Sequence, residues 1–164
     1  MKKNTRGFSL IELLIVVAII LIIAAIAIPN LLRSRIAANQ ASAVGSLRTV
    51  NTAEITYAST YNTGYAAALS YLGPPAAGAQ PSATAAGLLD EVLGGTAVPS
   101  VKSGYAFTYT PGADVGGRRD TYEVSAAPST VGTTGSNFYF TDMSGVIRQN
   151  TTGTASAADS PIGG

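Results

Sequence analysis

From Leu10 to Ile28 the chain reads LIELLIVVAIILIIAAIAI, nineteen residues with a single charge, Glu12. A helix built from this run has no polar face, which suits a membrane span or a fully buried core helix. At about 1.5 Å per residue it spans roughly 28 Å, close to the hydrocarbon thickness of a bilayer. Lys2, Lys3 and Arg6 stand ahead of the run. They favour the membrane reading with a cytoplasmic N-terminus. Past Pro29 the pattern changes. Ala43, Leu47, Val50, Glu54, Tyr57 and Tyr61 recur at three- and four-residue spacing, and residues 31–61 hold no Gly but Gly45 and no further Pro. This predicts the second, amphipathic half of one long helix laid on a globular domain. Pro29 removes one backbone hydrogen bond and is expected to kink that helix. Tyr57 and Tyr61, four apart, read as core contacts.

Residues 62–100 are rich in Gly, Pro, Ala and Ser, and Gly73-Pro74-Pro75 and Pro81 mark loop. Thr84 to Leu93 (TAAGLLDEVL) predicts a short helix ended by Gly94-Gly95. Four strand-like stretches follow: Tyr105 to Thr110, Thr121 to Ala126, Asn137 to Thr141 and Val146 to Gln149. Gly116-Gly117 turns the chain between the first two, and Asp142 to Gly145 joins the last two in a tight hairpin connection. The fold class is therefore α+β, a long N-terminal helix packed on a small antiparallel sheet of about four strands. Residues 150–164, mostly Thr, Gly, Ala and Ser, read as an extended or mobile tail. The segments expected are 1–7 as a leader, 8–29 as an apolar helix, 30–61 as its amphipathic half, 62–149 as a globular head and 150–164 as the tail.

Composition narrows the function. Charged residues make up 12% of the chain and the formal net charge is +1. Without Lys2, Lys3 and Arg6, seven basic residues face nine acidic ones. No clustered basic footprint exists, so no nucleic-acid partner is expected. Arg118-Arg119 reads as an exposed loop tip, two charges that argue little for an anionic partner. Asp90-Glu91 reads as a solvated helix face. The chain has no cysteine, so no disulfide can form. It has no histidine, which removes the commonest general base and metal ligand. No nucleophile–base set, metal-ligand cluster or phosphate-binding glycine loop is present. The chain is not expected to be an enzyme.

Glu12 is the feature that composition leaves unexplained. A secretory signal peptide would place Ala25-Ile26-Ala27 at a cleavage site, yet the apolar run exceeds the usual signal core. A plain membrane anchor gains nothing from a carboxylate. An ionisable group within the bilayer costs a few kcal/mol near the centre and asks for a partner.

The residues ahead of it answer this. Arg6-Gly7-Phe8-Ser9-Leu10-Ile11-Glu12-Leu13-Leu14-Ile15-Val16 resembles the type IV prepilin family, which includes the pseudopilins of type II secretion. The resemblance is strong over about residues 1–35. It implies cleavage after Gly7 by a membrane-embedded prepilin peptidase and N-methylation of Phe8. It implies roles in filament assembly for Phe8, Glu12 and Pro29, with Glu12 meeting the Phe8 amine of an adjacent subunit. Where many family members have Gly in the middle of the apolar run, this chain has Leu21. The stretches GYAFTY and FYFTDMSGVIR are similar to the C-terminal part of some pilins and pseudopilins. The family also brings in calcium, which holds the equivalent region of major pseudopilins. Asp142, Ser144 and Asp120 are the candidate ligands, although Asp142 and Ser144 suit the turn itself. No other cofactor is expected.

The implied function is that of a structural subunit of a type IV pilus-like filament. Its partners would be further copies of itself, the inner membrane before assembly, the prepilin peptidase and the pilus or secretion machinery. The precursor would sit in a bacterial inner membrane and the product in an extracellular pilus or fimbrium. A major pseudopilin of a periplasmic type II secretion pseudopilus is the alternative. A membrane-anchored or secreted binding domain is the third reading.

Overall fold

The computed structural model describes residues 8–163. The first helix, α1, runs Leu10–Tyr61 and contains Pro29 without interruption. The chain divides into two compact units, the first ending at Arg35 and the second beginning at Ile36. Among the described residues of the first unit none is buried. Its side chains, Leu and Ile for the most part, have no partner within the unit, as expected of a helix apolar on every side. This is the one helix among the described residues that is long and apolar enough to cross a membrane.

The second unit, called the head below, contains the rest of α1 and everything after it. The buried residues of α1 are Ala43, Ser46, Leu47, Val50, Asn51, Ala53, Glu54 and Tyr57. Their three- and four-residue spacing makes one stripe, as the sequence pattern requires. The stripe packs with Tyr105, Phe107, Tyr122, Val124, Ala126 and Tyr139 in a single apolar core. Tyr57 is buried and its ring lies 4.9 Å from that of Tyr61.

The sheet has five antiparallel strands in sequence order: β1 Ser100–Lys102, β2 Tyr105–Pro111, β3 Tyr122–Pro128, β4 Phe138–Asp142 and β5 Arg148–Asn150. Four of these match the stretches read from sequence. β1 is additional. It is three residues long, too short to alternate visibly, and is joined to β2 by Ser103-Gly104, both at positive φ. That pair of left-handed residues is the signature of a two-residue hairpin whose twist matches its strands.

Two other expectations need correction. The segment 84–93 is not one helix. Gly87 lies at φ +69, and the amides of Ala86, Gly87, Leu88 and Leu89 donate to Tyr71, Gly73 and Leu72 carbonyls around the 3-10 turn Leu69–Leu72. The backbone is thus held by a neighbouring turn. Only α2, Glu91–Gly94, is helical, capped by the Asp90 side chain. The residues after β5 are not a loose extension. They double back, so that Gln149 N donates to Ser160 O, Ile162 N to Ile147 O and Arg148 Nη1 to Asp159 O. Ala155 within this return is buried. The return covers an edge that would otherwise present unpaired backbone groups.

Candidate functional site

The first turn of α1 concentrates the chain's unusual features. Ser9 precedes the helix, and its hydroxyl accepts from Ile11 N at 3.3 Å. Glu12 bends back and accepts from the Ser9 backbone N–H at 2.9 Å. Leu13 N donates to Ser9 O at 3.2 Å. Ser9 and Glu12 thus form a capping box, each side chain satisfying an N–H that a helix start leaves orphaned. The carboxylate also sits at the positive end of the helix dipole. The sequence contains this Ser-x-x-Glu signal, and reading Glu12 only as an intermolecular group overlooked it.

Phe8 lies beside this turn and is 78% exposed. Gly7 and the expected leader, with Lys2, Lys3 and Arg6, fall outside the described residues. Leu10, Ile11, Leu13, Leu14 and the large apolar residues beyond, up to Leu32, are exposed. The described part of the site is therefore an unpartnered apolar rod. It carries one carboxylate near its tip, and that carboxylate is oriented by its own helix.

The other candidates are separate from this end. Asp142 Oδ1 accepts from Ser144 N at 2.9 Å and Asp142 O from Gly145 N at 2.9 Å, with Gly145 at φ +71. These bonds build the β4–β5 turn. Asp120 instead accepts from Arg118 Nε at 2.6 Å. Among the described residues no three His, Cys, Asp or Glu side chains are grouped to hold a metal ion. Arg119 is not an exposed tip. It is half-buried, pairs with Asp114 at 2.9 Å, and exchanges backbone bonds with Thr63 and Tyr65. Both arginines of the expected basic tip are therefore matched by carboxylates. Asp90 is the cap of α2 and also binds Lys102. The Lys102 ammonium, and then the Leu93 N–H, hold its carboxyl below the usual range.

Against known families, residues 2–28 match the prokaryotic N-terminal methylation motif. The chain carries this motif at its N-terminus. Over 37 residues it is 65% identical to the type IV wide pilus major component PilA4 of Thermus thermophilus, covering 23% of this chain and 28% of that one. Over 51 residues it is 51% identical to the type IV major pilin protein PilA of Myxococcus xanthus, covering 31% of this chain and 23% of that one. The chain thus matches less than a third of the length of either relative. No solved structure matches it. The methylation motif at residues 2–28 is shared sequence, and the long helix on an antiparallel sheet is an α+β arrangement.

Proposed function

We propose that this chain is a structural subunit of a type IV pilus-like filament, processed after Gly7, N-methylated at Phe8 and polymerised through residues 8–29. The observation that carries this reading is the run of exposed large apolar residues in the first part of α1, with Glu12 fixed at its tip inside a methylation motif. Such a rod is stable only when something apolar surrounds it. A bilayer serves before assembly, and the equivalent helices of other copies serve afterwards. Transfer between the two leaves apolar burial nearly unchanged, so a specific contact must set the register.

Glu12 supplies that contact. Processing creates a cationic amine at Phe8, and the Glu12 carboxylate of an adjacent copy neutralises it. In a low-dielectric core, breaking such a pair strands a buried charge and costs several kcal/mol. The capping bond uses one oxygen, Oε2. A carboxylate has about four acceptor sites, so Oε1 stays open to an incoming amine. The relatives are named as major pilins, which favours a pilus shaft over a secretion pseudopilus.

The test has two parts. Mass spectrometry of the mature protein should find loss of seven residues and a methylated Phe8. An N-terminus at Ile28 would refute the proposal in favour of a secreted domain. Electron microscopy of the native host should show surface filaments that disappear with the gene. Processed protein that forms no surface filament, but is needed for protein secretion, would move the assignment to a pseudopilus.

A further inference from the structure

Glu54 is a carboxyl group in the wrong place for a charge. It lies on the core-facing stripe of α1 and is fully buried, at 0% exposure. Its Oε2 accepts from Ala66 N at 3.0 Å. Its Oε1 is buried with no hydrogen-bond partner. An ionised carboxylate left half-matched in a core is among the costliest arrangements a fold can hold.

Among the described residues no cation pairs with Glu54. The titratable groups facing Glu54 are Tyr57 on its own helix, Tyr109 of β2 and Tyr122 of β3. Tyr65 lies behind Tyr122 with its ring 4.7 Å away, and Tyr61 and Tyr71 stand beside Tyr57. Arg119 is near Tyr109 but is paired with Asp114, and Asp142 is near Tyr122.

The Ala66 backbone brings a candidate acceptor to this side: Glu54 holds the Ala66 N–H, and the Tyr109 hydroxyl holds the carbonyl of the same residue. The Tyr109 hydroxyl hydrogen is committed to Ala66 O at 2.8 Å. That leaves the hydroxyl oxygen free to accept. The backbone of residue Ala66 is thus held at its N–H by Glu54 and at its carbonyl by Tyr109. A hydrogen on Oε1 would fill the only gap in the circuit.

We propose that the folded head holds Glu54 as a neutral carboxylic acid, whose Oε1–H donates to the Tyr109 hydroxyl and closes a ring of hydrogen bonds around the Ala66 backbone. The proton is then a structural ligand. It fastens the chain where it leaves α1 for the 62–99 loop, next to the bonds joining Thr63 and Tyr65 to Arg119. Burial raises the Glu54 carboxyl above the ordinary range, in keeping with this. The sign follows from linkage. A group whose folded value is raised gives stability that is complete below its unfolded value and is lost as pH climbs through the folded one. Raising the pH from the ordinary glutamate range through the folded value of Glu54 should therefore loosen the loop anchorage, and acid should leave it intact. This inference does not depend on how the chain assembles.

The experiment is a carbon-13 NMR titration of the full chain, labelled at glutamate and held in detergent micelles. Through-bond connection to its own backbone amide assigns Glu54 without any variant. The expected result is a Glu54 side-chain carbon that keeps the neutral-acid position as pH rises beyond the ordinary glutamate range. Titration of Glu54 inside that ordinary range would overturn the proposal. Glu54→Gln supplies a permanent N–H donor in the same place. Its melting temperature should hold steady across the range above the ordinary glutamate value in which that of the wild type falls. Parallel decline of the two proteins would also overturn it. If Glu54→Gln does not fold, the wild-type titration alone decides.

Discussion

The Glu12 carboxylate accepts a hydrogen bond from the Ser9 backbone N–H at 2.9 Å. One residue therefore stands at two levels of organisation, capping its own helix and, in the proposed filament, receiving the Phe8 amine of another copy. The two roles separate by chemistry. Glu12→Gln keeps an amide oxygen that can accept the Ser9 N–H but removes the negative charge. Glu12→Ala removes both. Losing a capping residue costs about 1 kcal/mol, which frays one turn of a long helix and no more. Cleavage and methylation should therefore survive in both variants. Filaments should be lost in both, because the uncompensated amine remains. Filaments from Glu12→Gln at normal yield would leave only the cap and refute the charge pairing. Mass spectrometry of the processed subunit and electron microscopy of the host read the two outcomes.

Asn51 offers a stability test inside the head. It lies on the buried stripe, donates to Thr141 Oγ1 at 2.9 Å and Gly145 O at 3.2 Å, and accepts from the Tyr122 hydroxyl at 3.0 Å. One amide thus ties α1 to β3, β4 and the turn after β4. Asn51→Leu should cost on the order of 2 kcal/mol or more, since it strands buried polar partners. Adding Tyr122→Phe and Thr141→Val should recover part of that loss, because two of the stranded hydroxyls go with them. Thermal unfolding of the three proteins in micelles measures this. A triple variant less stable than Asn51→Leu alone would mean that side-chain packing, rather than hydrogen bonding, governs the stability of this cluster.

The sequence made the helix legible because a nineteen-residue apolar run and a three-to-four-residue stripe are strong periodic signals. Four strands were visible through aromatic and small-residue alternation, such as that of Tyr105 to Thr110. The missed parts share a cause. β1 is too short to show a period. The segment 84–93 has helical composition, yet its amides are taken by Tyr71, Leu72 and Gly73 carbonyls far enough away in sequence to be invisible. The polar content of the tail reads as disorder until Asp159 is seen to organise it. At the candidate site, the residue types were legible and the Ser9–Glu12 cap was legible but unread. Glu54 was visible on the apolar stripe, but nothing in its spacing announced a carboxyl without a cation.

Asp159 leads to a pH prediction of opposite sign to that for Glu54. Its carboxylate accepts from Ser156 N at 2.7 Å, Ser156 Oγ at 3.0 Å and Asn150 Nδ2 at 2.9 Å. The Ser156 bonds, foremost that from its backbone, hold its carboxyl below the usual range. A depressed group gives stability that is present above its unfolded value and is lost as pH falls through the folded one. Acid should therefore release the C-terminal return, exposing the amides of Gln149 and Ile162 to exchange. Hydrogen exchange across an acidic series, compared with Asp159→Ala at neutral pH, should give the same pattern of faster amides at those two positions. Unchanged protection of both amides in Asp159→Ala would show that the return is held by its backbone bonds alone.

Two glycines separate backbone propensity from tertiary constraint. Gly45 is in the interior of α1 with nothing within 4 Å of where a Cβ would stand. Gly45→Ala should stabilise the head by about 0.5–1 kcal/mol, the usual helical preference for alanine. Gly64 is the reverse case. It lies at φ +72, and a Cβ there would stand 2.0 Å from the Arg119 carbonyl oxygen. That carbonyl accepts from Tyr65 N at 2.8 Å, one residue before Ala66, whose backbone is held by Glu54 and Tyr109. Gly64→Ala must therefore strain a left-handed residue and also push the 62–66 segment off the loop carrying Arg119. It should destabilise by more than Gly45→Ala stabilises, and the loss should appear first as faster amide exchange at Tyr65 and Ala66. Equal and small effects from the two substitutions would mean that this junction yields easily and that Ala66 is not a fixed point of the head.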